Sequence, residues 1–225
     1  MESTLAPHGV PGHHEREARL FRSHTDVETR YHDVDPVYAE TRDLRLMGFL
    51  LFLVSDVVLF SSFIFAYLYL RTSAPAWPPV VDGKALPYLD VPFAALNSIV
   101  LFGSGVTMHF ALDNWKKLNK NAFNAWMSAT IVLGVLFLLG QVHEYSLALP
   151  HMSWSGSAFG ASFYTLTGMH GFHVFVGVVY LTILLIQANA GVYTGSKYFG
   201  LTAGTLYWHF VDVIWVALFW LFYLW

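Results

Sequence analysis

Five apolar runs, each about 20 residues or longer, leave this chain few folds other than a bundle of membrane-crossing helices. The last run, residues 206–225, carries two misplaced polar side chains, His209 and Asp212. At 3.6 residues per turn they sit on one helix face. An ionised Asp at the centre of a spanning helix costs about 2.5–3.5 kcal/mol. The pair is therefore expected to face protein, water or a lipid headgroup, with imidazole and carboxylate partly satisfying each other.

Composition supports the membrane reading, because 56% of the residues are hydrophobic and only 12% are charged, and the charges crowd the first forty-odd positions. Cysteine is absent. Disulfides, cysteine-ligated clusters, the attachment motif of c-type haem and thiolate copper sites are thereby excluded. A net charge of −3 gives no footprint for nucleic acid.

Residues 1–44 form a polar arm with His8, His13, His14, His24 and His32 among mixed acids and bases. No apolar run precedes Leu44, so no signal peptide is expected. The histidine spacing is irregular, which favours a solvated arm over a metal site. Residues 45–225 make the transmembrane domain, with spans expected over 45–70, 91–112, 122–149, 159–190 and 204–225. Prolines 75, 78, 79, 87 and 92 break the chain between the first two spans.

Each span carries polar residues: Asp56 in the first, Ser98, Gly105 and His109 on one stripe of the second, and Gln141 and Glu144 on one face of the third. Thr167, His170, His173 and Gly177 line a stripe of the fourth. Lys and Arg collect on the cytoplasmic side of inner membranes. Six fall in the arm through Arg45, three in the loop after span two and one, Lys197, in the loop before span five. Only Arg71 and Lys84 fall on the other side. The N-terminus is expected inside and the C-terminus outside.

Three chemistries fit such stripes. Two histidines on different helices could ligate a haem, although His170 and His173 share one helix and no pair repeats. Carboxylates and histidines at membrane depth could relay protons in a stand-alone ion or proton transporter, although His209 and Asp212 lie in the inner half of their span and Glu144 near the outer end of its own. Hydrogen bonds between helices, or contacts to lipid headgroups, account for most of them more simply.

Taken in order, the motifs Ser55-Asp56, Ser104-Gly-Val-Thr107, Gly140-Gln-Val-His-Glu-Tyr145, Thr167-Gly-Met-His-Gly-Phe-His-Val174 and Tyr207-Trp-His-Phe-Val-Asp-Val-Ile-Trp215 cover all five spans. The chain thereby resembles subunit III of haem-copper terminal oxidases, in its five-span bacterial form. The resemblance implies an accessory, non-redox subunit of a proton-pumping oxidase that reduces oxygen to water. It would have no catalytic residue, no metal and no cofactor of its own. Haem and copper would sit on partner subunits, the catalytic subunit I and subunit II. Phospholipid would be bound in a cleft, and the location would be the inner membrane of a bacterium. The subunit would support proton uptake and protect the oxygen-reducing centre during turnover.

By the same resemblance Asp56 stands at the family's buried membrane carboxylate. That residue is usually Glu and is modified by carbodiimide in some members; quinol-oxidising relatives often carry Asp there. Glu144, His170, His173, His209 and Asp212 match recurring polar positions, as interhelical, lipid-related or proton-related candidates. Arg45 is the candidate phospholipid headgroup contact, or an ordinary residue of the positive inner side. Thr202 replaces a Glu found in many members. The two N-terminal helices of seven-span members are missing.

Overall fold

The computed structural model describes residues 36–74, 77, 80–81, 84–85, 89–193 and 198–225. The five histidines of the arm and Lys197 lie outside the described residues. Among the described residues the regular structure is helical, apart from a two-residue antiparallel ladder, Val80–Val81 with Lys84–Ala85, in the proline-rich connection.

Five helices carry the membrane-length runs: α1 Pro36–Ser73, α2 Val91–Lys116, α3 Lys120–Ala148, α4 Ala158–Asn189 and α5 Phe199–Phe219. A π-helical turn, Trp220–Leu224, continues α5. Helix α1 starts inside the stretch expected to be a loose arm. Proline is favoured at a first helical position, and nothing between Pro36 and Leu44 breaks a helix. Helix α5 starts at Phe199, five residues before the expected position 204.

The helix ends follow local chemistry. Asp90 accepts a hydrogen bond from the Phe93 amide at 3.0 Å, Asn119 from Ala122 at 3.1 Å and Ser157 from Gly160 at 3.0 Å. Each side chain satisfies an amide that has no partner within its own helix. Past the end of α4, Gly191 adopts φ 78°, the left-handed conformation in which glycine meets no Cβ penalty.

Helices α2 to α5 close into an antiparallel ring in which α2 packs on α3 and α5, and α4 on α3 and α5. Paired side chains give the directions. Asn97 donates to the Phe137 carbonyl at 3.1 Å and Thr107 meets Thr130 at 2.8 Å, so α2 and α3 run oppositely. The indoles of Trp208 and Trp215 donate to Ser104 and Ser98, at 2.9 and 2.8 Å, which sets α5 against α2. Each bond satisfies two groups that hydrocarbon would leave unpaired.

Helix α1 stands differently. Of its described side chains only Asp56, Phe60 and Tyr67 are buried. It runs parallel to α5 and touches it through long side chains. Phe52 stacks near Tyr207, Tyr67 reaches the Leu221 carbonyl at 3.4 Å, and Arg71 donates to the Trp225 carbonyl at 3.1 Å. Arg71 also lies 3.8 Å over the Trp225 ring.

Candidate functional site

The polar residues of the spans fall into separate groups, each placed by a different pair of helices. The first joins α1 to the ring. Asp56 Oδ1 lies 4.0 Å from His173 Nε2 on α4, with side chains 11% and 14% exposed. His173 Nδ1 is 2.8 Å from the Met169 carbonyl. A carbonyl only accepts, so Nδ1 carries a proton and Nε2 is the atom turned toward the carboxyl. One proton distributed between Nε2 and Asp56 makes the pair net neutral, the form that avoids a net charge at membrane depth. Phe60 packs on the imidazole at 5.1 Å and Tyr207 donates to the His173 carbonyl at 3.0 Å. Asp56 Oδ2 is buried without a partner among the described residues.

The second group ties α3 to the end of α5. Glu144, only 3% exposed, accepts from Tyr223 at 2.7 Å on Oε1 and from Gln141 at 3.3 Å on Oε2. Tyr145, next in the chain, meets Thr167 of α4 at 2.6 Å. Sequence reasoning named Glu144 and Gln141 but missed Tyr223. A tyrosine at the end of an apolar run signals an interfacial anchor, and only the packed helices show that its hydroxyl points inward.

His170 is fully buried, with both ring nitrogens unpartnered among the described residues. Trp215 stacks on it at 5.0 Å and Phe137 presents an edge at 6.0 Å. His170 is completely enclosed by packed side chains, and both nitrogens of His173 are engaged elsewhere. The residues do not fit a bis-His haem site.

The third group is the pair on α5. His209 Nδ1 lies 3.7 Å from Asp212 Oδ2, with side chains 43% and 13% exposed. The carboxylate rests on Gly105 of α2, where any Cβ would overlap Oδ2. Ser98 and Gly105 thus face α5 as their stripe suggested, but His109 turns outward. It is 64% exposed and lies 3.5 Å from Asp113. His143 is also exposed, packed on Phe93 at 5.3 Å. Arg45 is exposed on α1, immediately before an apolar strip of the same helix formed by Leu46, Met47, Leu50, Leu51 and Val54.

Glu144 contacts the chain at Tyr223, eleven positions beyond Asp212 and hence about 16 Å farther along the helix axis. Glu144 and Asp212 are therefore too far apart to exchange a proton directly. Among the described residues no three His, Asp or Glu side chains gather as a metal site would require.

These features define a class: a polytopic membrane subunit whose buried polar groups join helices to one another. The family model described as cytochrome c oxidase subunit III matches residues 26–225. Cytochrome c oxidase subunit 3 of Synechocystis sp. is 38% identical over 183 residues, covering 81% of this chain and 76% of its own length. That of Thermostichus vulcanus is 37% identical over 82% of this chain and 89% of its own, and that of Bacillus subtilis 34% over 80% and 86%. The chain belongs to the cytochrome c oxidase subunit III family. It is an accessory subunit of a haem-copper terminal oxidase and works in a complex with other subunits, in a membrane.

Proposed function

We propose that this subunit carries no redox centre and binds beside the haem- and copper-bearing catalytic subunit I and subunit II. There it supports proton uptake and keeps the oxygen-reducing centre intact during turnover, in a complex that reduces oxygen to water and translocates protons. The observation that carries this reading is the Asp56–His173 pair. It is a protonatable contact at membrane depth that joins an otherwise exposed helix to a closed four-helix ring. A subunit built this way shapes a surface and holds helices in register.

The site roles follow in the same sense. Asp56 and His173 secure α1. Glu144 secures the end of α5, His170 fills the core, and His209 with Asp212 marks the seam between α2 and α5. Arg45 at the head of this apolar strip suits a phospholipid, with the phosphate on the guanidinium and an acyl chain along Leu46 to Val54. Residues 45–225, which hold nearly all of the five membrane-length helices, are the transmembrane domain. The distribution of Lys and Arg favours a cytoplasmic N-terminus and an outer C-terminus. Bacterial relatives covered over nearly nine-tenths of their length favour the inner membrane of a bacterium.

The test is mild-detergent purification through a tag on this chain, with mass spectrometry of the accompanying proteins and an optical haem spectrum. The expected result is a large haem-bearing polytopic subunit and a copper-type partner. A chain purified alone and colourless would overturn the reading.

A further inference from the structure

The outward faces of α1, α3 and α4 are hydrocarbon-like in their middle turns, with exposed His143 of α3 lying near the helix end. Val54, Val58 and Phe65 are exposed on α1, Val132 and Leu139 on α3, and Phe172 and Ile186 on α4. The seam between α2 and α5 differs. There His209 is 43% exposed inside a spanning helix, next to Asp212. One turn from Gly105 along α2, His109 and Asp113 continue the polar strip toward the helix end. Exposed Phe102, Val106, Leu206, Val213 and Val216 flank it, at positions three, four or seven residues from the polar groups or immediately beside them.

The protons on this seam can be placed. His209 Nδ1 faces Asp212 Oδ2, and both lie against Gly105, so the exposed edge of the imidazole is the Nε2 edge. At membrane depth the pair is stable only when net neutral. Asp212 Oδ1 is buried with no partner among the described residues, so a carboxyl proton belongs on Oδ2, and the neutral state has two forms, a neutral carboxyl donating to Nδ1 or a carboxylate facing an imidazolium. In both, Nε2 carries a hydrogen and points outward. Lipid tails offer it no acceptor.

We infer that the α2–α5 seam is the surface on which a transmembrane helix of a partner oxidase subunit docks, presenting a hydrogen-bond acceptor to His209 Nε2. The acceptor is a hydroxyl, amide oxygen or carboxyl group on that helix, and its flanking apolar side chains pack on Val106 and Val213. Gly105 and Asp212 act as positioning residues that hold the imidazole with its donor outward. The inference rests on the proposed assembly with other oxidase subunits and adds which face makes the contact.

The test places a photo-crosslinking amino acid at Val106 or Val213 in the intact complex, with Val132 and Ile186 as control positions on α3 and α4. The expected result is a crosslink from both seam positions to a membrane-spanning segment of one oxidase subunit, and none from the controls. Crosslinks from the controls and not the seam would overturn the docking face while leaving the accessory-subunit reading intact. Crosslinks from the seam only to a second copy of this chain would also overturn it. Absence of any co-purifying oxidase subunit would overturn both. His209→Phe is expected to reduce retention of this subunit in detergent several-fold. His209→Gln, which keeps an N–H donor, is expected to restore most of it; equal loss in the two variants would show that the donor is not used.

Discussion

The ring of Trp208 fills the space that a methyl group on Gly177 would need: a Cβ there would lie 2.8 Å from Cζ3. On the other side of the same indole, a Cβ at Gly134 would lie 2.8 Å from Cη2. Trp208 is fully buried and its Nε1 is held by Ser104, so the ring cannot step aside. Two glycines on α3 and α4 thus admit one tryptophan from α5, the close approach that small residues permit between membrane helices.

Gly177→Ala is therefore expected to destabilise the subunit by about 1–3 kcal/mol, the usual cost of overpacking. Gly171→Ala on the same helix meets nothing within 4 Å and is expected to be neutral. Thermal unfolding midpoints of the purified complex check this. Equal midpoints for the two variants would contradict the wedge.

For the pair that joins α1 to the ring, Asp56→Asn is expected to leave the initial rate of oxygen reduction nearly unchanged, because in the proposed role this chain holds no redox centre. Loss of activity during sustained turnover should be several-fold faster. His173→Gln should behave alike, and the double variant should be no worse than either single one, as expected for residues acting on one contact. Oxygen-uptake traces at high turnover read both quantities. A large immediate fall in initial rate would count against a supporting role.

Five helices of membrane length were legible because a run of about 20 apolar residues has few other uses. Their mutual arrangement was not. Asp56 meets His173 across more than a hundred residues, and Tyr223 reaches Glu144 across 79 positions. Such contacts depend on how helices close upon one another, which periodicity along one helix does not reveal. His109 shows the limit most clearly. It shares a stripe with Ser98 and Gly105, yet lies past the buried contact and turns outward. The early start of α5 has a similar cause. Gly200 and Thr202 resemble a turn, but Gly200 lies in the first turn of the helix, where a Cβ would lie 2.5 Å from Tyr193 Oη.

At the end of α5, Tyr223→Phe removes the donor to Glu144 Oε1 and leaves a buried carboxyl oxygen unpaired. A loss of about 1–3 kcal/mol is expected. Replacing both partners by apolar residues, Tyr223→Phe with Glu144→Leu, should cost less than the two single effects added together. A double-mutant cycle on the unfolding midpoint measures this coupling, and strict additivity would show that the bond contributes little.

The contrast between Gly103 and Gly105 gives the sharpest test of the α2–α5 seam. The two glycines lie two positions apart on one helix. A Cβ at Gly103 meets nothing within 4 Å, whereas one at Gly105 would overlap the Asp212 carboxylate. Gly103→Ala is expected to be neutral or to stabilise by about 0.5–1 kcal/mol through helix propensity. Gly105→Ala forces Asp212 off the α2 backbone and takes His209 with it, so a loss of about 1–3 kcal/mol is expected. Adding Asp212→Ala to Gly105→Ala removes the clashing group, and should recover more stability than Asp212→Ala retains alone. Unfolding midpoints of the four variants separate the cases. If Gly105→Ala is tolerated as well as Gly103→Ala, the carboxylate is not fixed against α2, and the outward orientation of His209 loses its support.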